Sequence, residues 1–345
     1  MTTIHGKRII LAMIASLTLA SHSLAAAPKP PIIDMHMHAF PLAEFGPTPP
    51  VGCYMGEDSH WHAVDPARPV FEQLFDPALC TWPMPAPATD ALVREGSVDR
   101  LRKYNIYAVT SGELAMVEDW RKAAPHRIIP SLNFFNGEGG VKPAYVDELR
   151  RLHAAKRVAV FGEVTAQYRG LPPADPSLEP FFALAEELDV PVGIHMGYGA
   201  PGGPYWAYPN YRASLGNPLL LEEVLVKHPK LRLYVMHAGF PMVDELIALL
   251  YSHPQVYVDI SSDNGGQRNA EFYHGLKRLM DAGYGKRIMF GSDQMIWPQI
   301  IDVAINGIES APFLSAEQKR DIFYNNAARF LRLSEAEISR HQAGQ

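Results

Sequence analysis

The residues best suited to chemistry lie in the stretch PIIDMHMHAF, residues 31–40, where apolar side chains alternate with Asp34, His36 and His38. Residues i and i+2 of a strand point to the same side, so His36 and His38 can both reach one metal ion. Asp34 lies one step deeper on that face, where it could orient a ligating imidazole. A single His-x-His pair is often a coincidence, so this stretch alone does not establish a metal site.

Further ionisable residues follow apolar runs in the same way: Glu163, His195, His237 and Asp293. If each run is a strand of one parallel barrel, these side chains converge at the carboxyl ends of the strands. Burying them together costs free energy unless one partner satisfies them all, and a divalent cation does so. Imidazole and carboxylate ligands suit zinc first, with manganese and iron as alternatives. Each residue taken alone could instead be structural, and Asp293 could cap a helix.

Eight short apolar runs alternate with amphipathic helical stretches. The first surrounds His36, and the others are residues 105–112, 127–135, 158–164, 190–197, 231–239, 256–263 and 287–294. Runs that are apolar almost throughout indicate strands covered on both faces, as in parallel sheets. The sequence therefore predicts an α/β fold, a (β/α)8 TIM barrel, with a two-sided open sheet as the weaker alternative.

Residues 41–89 interrupt this alternation with a proline-rich stretch. Long loops that follow barrel strands lie at the catalytic face, so this insertion after strand 1 is expected to form a lid or a substrate wall. The glycine- and aromatic-rich residues 196–212 have a similar character. Cys53 and Cys80 both lie in the insertion, and an oxidising compartment would allow them to form a disulfide.

Residues 1–26 are expected to be a signal peptide. Lys7 and Arg8 precede an apolar run at residues 9–20, and small residues follow as far as Ala26. A retained amino-terminal anchor is the alternative. The sequence thus predicts a periplasmic or secreted protein with one domain over residues 27–345 and no membrane association after cleavage.

The composition restricts the class of partner. The hydrophobic fraction is 47% and the charged fraction 20%, which is typical of a folded globular protein. The formal net charge is −6 and no basic cluster is present, which argues against nucleic acid as a partner. A small-molecule substrate is expected, and a homo-oligomer remains open.

The segments IIDMHMHAF, VGIHMG, LYVMHAGFP, VYVDISS, RIMFGSD and YNNAARFLRL resemble the amidohydrolase superfamily. They are most similar to its amidohydrolase-related branch, which contains aminocarboxymuconate-semialdehyde decarboxylase-like enzymes, and the likeness covers roughly residues 31–333. The resemblance implies a metal-dependent TIM-barrel enzyme. It implies that His36, His38, His195 and Asp293 are metal ligands, and that Asp293 also carries a proton. His237 would be a ligand of a second ion or a catalytic imidazole facing the substrate.

Glu163 leaves the number of metal ions open. Many superfamily members carry a carboxylated lysine at the end of strand 4 that bridges two ions, and some use glutamate there. Glu163 could therefore bridge two ions, with His195 and His237 serving the second, or it could approach a single ion. One strongly held ion is the favoured expectation.

The expected activity is that of a metal-dependent hydrolase using a metal-activated water on a small amide, ester or lactone. Asp293 would move the proton, and His237 would help to polarise the carbonyl. A decarboxylase or hydratase of a small carboxylic acid is the alternative. An inactive secreted metal-binding barrel is the non-enzyme alternative, whereas a serine hydrolase is disfavoured because no Gly-x-Ser-x-Gly elbow occurs.

Candidate substrate contacts come from the loops after strands 4, 5 and 7 and from the insertion. The principal ones are Arg169, Tyr198, Trp206 and Arg212, with Tyr168, Tyr205, Tyr208, Arg268, His60 and His62 as further candidates. An arginine there would suit a substrate carboxylate, while the aromatic residues could simply pack the loops. Asp259 and Asp263 are expected to be structural.

Overall fold

A computed structural model of the chain describes residues 1–2, 29–46, 48–54, 62–134, 143–262 and 269–345. Most of the predicted signal peptide lies outside these residues, as do His60, Asp263 and Arg268. Within the described ranges, no helix is long and apolar enough to cross a membrane.

Eight parallel strands form a nearly closed barrel in which each strand pairs with the next along the chain. They are β1 (Ile32–Ala39), β2 (Ile106–Gly112), β3 (Ile128–Phe134), β4 (Val160–Val164), β5 (Val192–His195), β6 (Leu233–Met236), β7 (Tyr257–Asp259) and β8 (Ile288–Met289). The chain after β8 returns to β1, because Met35 N donates to Phe290 O at 2.9 Å and Asp293 N donates to His36 O at 2.8 Å. The predicted TIM barrel is confirmed, and the open-sheet alternative is wrong.

One helix follows each strand, which is the repeating unit of this fold. These are α1 (Asp90–Tyr104), α2 (Leu114–Ala123), α3 (Pro143–Ala154), α4 (Glu179–Glu187), α5 (Glu222–Lys227), α6 (Val243–Ser252), α7 (Asn269–Asp281) and α8 (Gln299–Glu309). Three more follow, α9 (Ala316–Arg320), α10 (Asn326–Phe330) and α11 (Glu335–Gln342), with a π-helical turn at Asp321–Asn325. Short 3-10 turns occupy Leu42–Phe45, Pro77–Leu79, Ala166–Arg169, Pro176–Leu178, Gly203–Tyr205, Ala213–Gly216, Pro218–Leu221, His237–Gly239 and Gly285–Arg287.

The strands are buried on both sides, as their apolar sequences predict. Every residue of β1, β2, β4, β5, β6 and β8 is buried. One large apolar cluster joins the strands to the helices around them. A smaller cluster joins the barrel to α10, where Ile33 and Met35 share a core with Tyr324 and Phe330.

The insertion after β1 has its own small framework. Gly52–Tyr54 pairs antiparallel with Trp82–Met84, and a short helix spans Val70–Leu74. Cys53 and Cys80 form a disulfide across 27 residues of sequence. The aromatic rings of Phe71 and Trp206 lie 5.0 Å apart, so the insertion contacts the loop after β5.

The carboxyl-terminal residues close the amino-terminal end of the barrel. The His341 ring stacks on Tyr107 of β2 with 3.5 Å between ring centroids. Asn105 donates from its side-chain amide to His341 O at 3.0 Å, and the Arg127 guanidinium donates to Gly344 O at 3.1 Å. The opposite end of the barrel, where the strands finish, carries the ionisable residues.

Candidate metal centre

Six ionisable side chains meet at the carboxyl ends of the strands. β1 supplies His36 and His38, β4 supplies Glu163 and β5 ends at His195, while His237 directly follows β6 and Asp293 follows β8. All six residues are buried. The structure therefore brings together every residue that the sequence analysis proposed as a metal ligand.

The side chains of His36, His38 and Asp293 surround one point. His36 Nε2 and His38 Nε2 lie 3.0 Å apart. Asp293 Oδ1 lies 3.1 Å from His38 Nε2 and 3.7 Å from His36 Nε2. The ligand atoms of this group all fall within 4.8 Å of one another, which is close enough to hold a metal ion.

Glu163 connects this group to the other two histidines. Its Oε2 lies 3.5 Å from His38 Nε2 and 3.7 Å from His36 Nε2. Its Oε1 lies 3.5 Å from His237 Nε2 and 3.8 Å from His195 Nε2. The two carboxylate oxygens thus face two different pairs of imidazoles, and His36, Glu163 and His237 form a second group that could hold an ion.

The Nδ1 atom of each imidazole contacts a polar group on its outer side. Ser261 Oγ lies 2.8 Å from His36 Nδ1 and 3.1 Å from His237 Nδ1. Ser111 Oγ lies 2.9 Å from His38 Nδ1, and the Gln167 amide nitrogen lies 2.6 Å from His195 Nδ1. The serine hydroxyls can accept from Nδ1–H of His36, His38 and His237, which fixes these rings and directs Nε2 to the metal. The Gln167 contact holds the His195 ring in place.

The polar atoms at the centre fit a divalent cation. With Nδ1 protonated, His36 Nε2 and His38 Nε2 present lone pairs to each other across 3.0 Å. Asp293 Oδ1 is buried beside them and has no hydrogen-bond partner. Buried acceptors that face one another are costly, and a shared cation satisfies them together. Imidazole nitrogens with carboxylate oxygens are a ligand set that zinc accepts.

Asp259 supports the serine that contacts two imidazoles. Its Oδ1 accepts hydrogen bonds from Ser261 Oγ at 2.5 Å, from Ser261 N at 2.9 Å and from His237 N at 3.2 Å. Its Oδ2 lies 3.5 Å from His36 Nδ1. The residue expected to be structural therefore also positions the candidate ligands.

Asp34 does not contact an imidazole ring, so that sequence-based expectation is wrong. Its Oδ1 accepts from the backbone nitrogens of His36 and Ser292, each at 3.0 Å. Burial raises the pKa of its carboxyl to about 7. Asp34 thus ties the backbone of β1 to the segment after β8 that carries Asp293.

Electrostatics within the cluster favour ionised carboxylates. Burial alone would raise the pKa of Glu163, but the neighbouring His237 and His36 imidazoles reverse this and hold the pKa well below its usual range. Burial likewise opposes ionisation of Asp293, yet His36 and His38 lower its pKa to about 2. Burial, reinforced by the charge of His237, lowers the pKa of His195 to about 3, so His195 is neutral as a ligand must be.

Two of the candidate ligands have left-handed backbone conformations. The φ angles are +57° at His237, +47° at the following Ala238 and +52° at Asp293. Residues with a β-carbon rarely adopt this region, and they do so mainly where the surrounding structure enforces it at functional sites.

Among the proposed substrate contacts, Tyr168 lies at the cluster itself. Its hydroxyl oxygen is 3.2 Å from His195 Nε2. Its ring packs between those of Tyr208 and Tyr211, at centroid distances of 4.5 and 5.5 Å. Burial, aided by the nearby Glu163 charge, raises the pKa of Tyr168 well above its usual value, so the phenol remains a hydrogen-bond donor.

The other substrate candidates lie further out. Arg169 is exposed, and the exposed Arg212 donates to Pro209 O at 2.9 Å and to Tyr211 O at 2.7 Å. Trp206 is partly exposed and packs edge-on against Phe71 of the insertion. The remaining described candidates are Tyr198, which is half-buried, and Tyr205, Tyr208 and His62, which are exposed.

Sequence reasoning did not identify four residues that support the site. Ser111, Gln167 and Ser261 contact the Nδ1 atoms of the imidazoles, and Gln294 contacts the backbone of His38. The Gln294 side chain accepts from His38 N at 2.9 Å and donates to His38 O at 2.6 Å. Ser111 lies in β2, and Ser261 follows β7 by two residues. Ser111 and Ser261 lie at strand ends next to the strand ends that carry the histidines. That position is the one sequence signal that could have identified the two serines.

Comparisons of the sequence and of the fold with known proteins agree with each other. A sequence model described as amidohydrolase matches residues 33–333, and no curated protein matches the chain. The fold is similar to that of a probable 2-pyrone-4,6-dicarboxylic acid hydrolase from Acinetobacter baumannii, solved with citric acid bound. The two chains are 13% identical, with a TM-score of 0.56 and with 88% of this chain and 99% of that chain covered.

Two further solved structures share the fold. One is 4-oxalomesaconate hydratase from Rhodopseudomonas palustris, which is 15% identical, with a TM-score of 0.55 and coverage of 90% of this chain and 98% of that one. The other is 2,6-dihydroxybenzoate decarboxylase in complex with 2,6-dihydroxybenzoate, which is 13% identical, with a TM-score of 0.56 and coverage of 89% and 99%. One barrel architecture thus occurs in a hydrolase, a hydratase and a decarboxylase.

Proposed function

The chain belongs to the amidohydrolase family, and on that premise we propose that it is a metal-dependent hydrolase of a small amide, ester or lactone. The observation that carries the proposal is the cluster at the carboxyl ends of the strands. Two imidazole nitrogens 3.0 Å apart and an unpartnered, buried Asp293 oxygen leave a place that a cation fits.

The ion would supply Lewis-acid polarisation of the substrate carbonyl and would lower the pKa of a water molecule. Asp293 is ionised and lies against His38, so it is placed to accept a proton from the attacking water and return it to the leaving group. Burial disfavours the charged form of His237, but its hydrogen bond to Glu163 outweighs this and raises its pKa to about 9. With a single ion bound, His237 therefore holds a proton that it can donate to the developing oxyanion. As a ligand of a second ion it would be neutral instead.

The described arginines proposed for a substrate carboxylate, Arg169 and Arg212, are both exposed. The ion-pair partners that the structure describes for Glu163 and Asp293 are all histidines. Arg212, proposed for a substrate carboxylate, is exposed and donates to backbone oxygens of its own loop. With no described arginine placed at the cluster to pair with a substrate carboxylate, hydrolysis of a neutral carbonyl compound is preferred to decarboxylation or hydration of an acid.

The primary ion is assigned to His36, His38 and Asp293. A second ion would use His195 and His237, and Glu163 would then bridge the two through its separate oxygens. The imidazole and carboxylate ligands suit zinc whether one ion or two are bound.

Metal content per chain, measured on wild type and on Glu163→Gln, tests this proposal. The purified chains are loaded with zinc, freed of excess ion and examined by elemental mass spectrometry, with hydrolysis of a panel of esters and lactones followed in parallel. About one ion in wild type, retained by the variant, supports the primary site alone. About two ions falling to about one establish Glu163 as a bridge.

No stoichiometric metal in either protein would overturn metal dependence. A metal-loaded wild type that releases carbon dioxide from aromatic acids, but cleaves none of the esters or lactones, would overturn hydrolysis in favour of decarboxylation.

We also propose that the enzyme acts outside the cytoplasm, in the periplasm or the medium, on a small-molecule substrate. The Cys53–Cys80 disulfide supports this location, because disulfides persist in oxidising compartments. Fractionation of cells that express the full chain tests the location, and recovery of the uncleaved chain with the cytosol would contradict it.

A further inference from the structure

A cavity of about 530 Å3 lies at the amino-terminal end of the barrel, at the end opposite the metal centre. The carboxyl-terminal helices and the chain just before β1 enclose it. Its lining contains three guanidinium groups, those of Arg320, Arg329 and Arg332, and no acidic side chain among the described residues that line it.

Arg320 is the least compensated of the three. Its Nη2 donates to Pro31 O, and its guanidinium lies 5.4 Å from the centroid of the Tyr324 ring. Its Nε is buried and has no hydrogen-bond partner. Burial lowers the pKa of this guanidinium, an effect only partly offset by Tyr324 and by the Glu309 and Asp321 carboxylates. A buried, unpaired guanidinium donor beside a cavity is stabilised by an anion bound there.

The other two arginines leave positive charge in the cavity. Arg329 donates to the Tyr257 hydroxyl at 3.1 Å and to Asn326 Oδ1 at 2.7 Å, which are both neutral partners. Arg332 pairs with Asp189. The nearby Asp321 carboxylate pairs with Lys286 instead, with Lys286 Nζ 2.5 Å from its Oδ2. Among the described ion pairs, Arg332 is the one member of the three that pairs with a carboxylate, and that carboxylate, Asp189, also pairs with Arg232.

We propose that this cavity binds a small organic oxyanion with an apolar body. The guanidinium fork of arginine matches a carboxylate or phosphate through paired hydrogen bonds. Pro30, Pro31, Leu333 and Ile338 supply an apolar wall for the rest of the ligand. The volume is that of a small-molecule site, for which about 300–1,000 Å3 is usual. This site is independent of the proposed hydrolysis and lies at the other end of the barrel.

Titration calorimetry with sodium benzoate and with inorganic phosphate tests the proposal. The proteins are zinc-loaded wild type, Arg320→Met, Arg332→Met and, as a control, Arg151→Met, which removes an exposed arginine of α3 paired with Glu148. Benzoate is expected to bind wild type and the control equally, and each cavity variant at least tenfold more weakly. Phosphate, which has no apolar body, is expected to bind wild type more weakly than benzoate.

Two controls keep the result interpretable. Arg320→Lys keeps the charge without the planar fork, so it should fold even if Arg320→Met does not, and it should still weaken benzoate binding. The zinc content of every variant should equal that of wild type, which separates this site from the metal centre. Benzoate binding that is absent in wild type, or unchanged in the cavity variants, would overturn the proposal. Phosphate binding as tight as benzoate binding would overturn the apolar part of it.

Discussion

At the scale of single residues, one hydroxyl group sets the protonation of two imidazoles. Ser261 Oγ lies 2.5 Å from Asp259 Oδ1, so its only proton goes to that carboxylate. The two lone pairs left on Oγ can then accept from Nδ1–H of His36 and Nδ1–H of His237. Both imidazoles consequently present an unprotonated Nε2 to the centre of the site when they are neutral.

Ser261→Ala is expected to weaken zinc binding by about 10–100-fold without unfolding the protein, because it removes the acceptor that orients both rings. Zinc affinity is measured by competition with a chromophoric chelator. Ser97→Ala is the matched control, since Ser97 Oγ is buried in α1 without a hydrogen-bond partner. Equal zinc affinities for the two variants would contradict the role assigned to Ser261.

At the scale of elements, the loop after β5 is fixed directly to the strand that carries His195. Gly197 N donates to Gly216 O at 2.7 Å, and Gly197 has a φ of +88°. A β-carbon on Gly216 would lie 1.8 Å from Gly197 O and 2.8 Å from Gln167 Oε1. The two ends of the loop therefore approach each other at the residue that contacts His195 Nδ1.

Gly216→Ala is expected to lower the free energy of unfolding by about 1–3 kcal/mol, which is the usual cost of overpacking. It should also weaken zinc binding, because the displaced Gln167 no longer orients His195. Gly203→Ala in the same loop is the control, since its β-carbon would meet nothing closer than 3.4 Å. Denaturant unfolding and zinc titration of both variants measure the two effects, and a Gly216→Ala protein as stable as Gly203→Ala would refute the close approach.

At the scale of the whole molecule, the two ends of the barrel differ in the residues that they carry. The carboxyl end gathers the candidate ligands, while the amino end is closed by α11 and the residues after it. His341 is buried there between the Tyr107 ring and the Tyr324 hydroxyl, which lies 3.1 Å from its Nδ1. Burial, only partly offset by Glu337, lowers the pKa of His341 to about 4.

This closure should make stability depend on pH. An unfolded histidine has a pKa of about 6.5, so between pH 6.5 and 4 the unfolded state binds a proton that the native state does not. The contribution of His341 to the free energy of unfolding is fully present above pH 6.5 and is lost as the pH falls to about 4. The total loss is up to about 3 kcal/mol. His341→Gln should flatten the pH dependence of urea unfolding of the metal-free protein in this window, whereas His126→Gln, an exposed control, should not. Equal slopes in both variants would exclude His341 as the cause.

The barrel and its ligands were predictable because both leave regular signals. Apolar runs mark strands, and an ionisable residue at the end of each run falls at one face of the barrel. The actual strands are shorter than the runs, and β6 and β8 end before His237 and Asp293. His237 and Asp293 accordingly lie just past the strands in left-handed backbone, which no periodicity predicts.

The supporting contacts were not predictable, because they depend on tertiary proximity. Ser111 and Ser261 belong to strand ends far apart in sequence, and a lone serine carries no signal of its own. Asp34 was assigned to the wrong partner because alternation along β1 gives the direction of a side chain but not the backbone nitrogens that approach it. In the insertion, irregular proline spacing concealed a ribbon whose strands are joined by the Cys53–Cys80 disulfide.

The contacts of the barrel floor also have a consequence for the order of events during biosynthesis. Tyr107 and Arg127 are made well before their partners His341 and Gly344, and Arg127 and Gly344 are 217 residues apart in the sequence. The amino-terminal end of the barrel therefore stays open in the nascent chain until these late partners have been made. For the same reason, an affinity tag joined after Gln345 would begin inside this contact, where Tyr107 donates to Gln345 O at 2.8 Å.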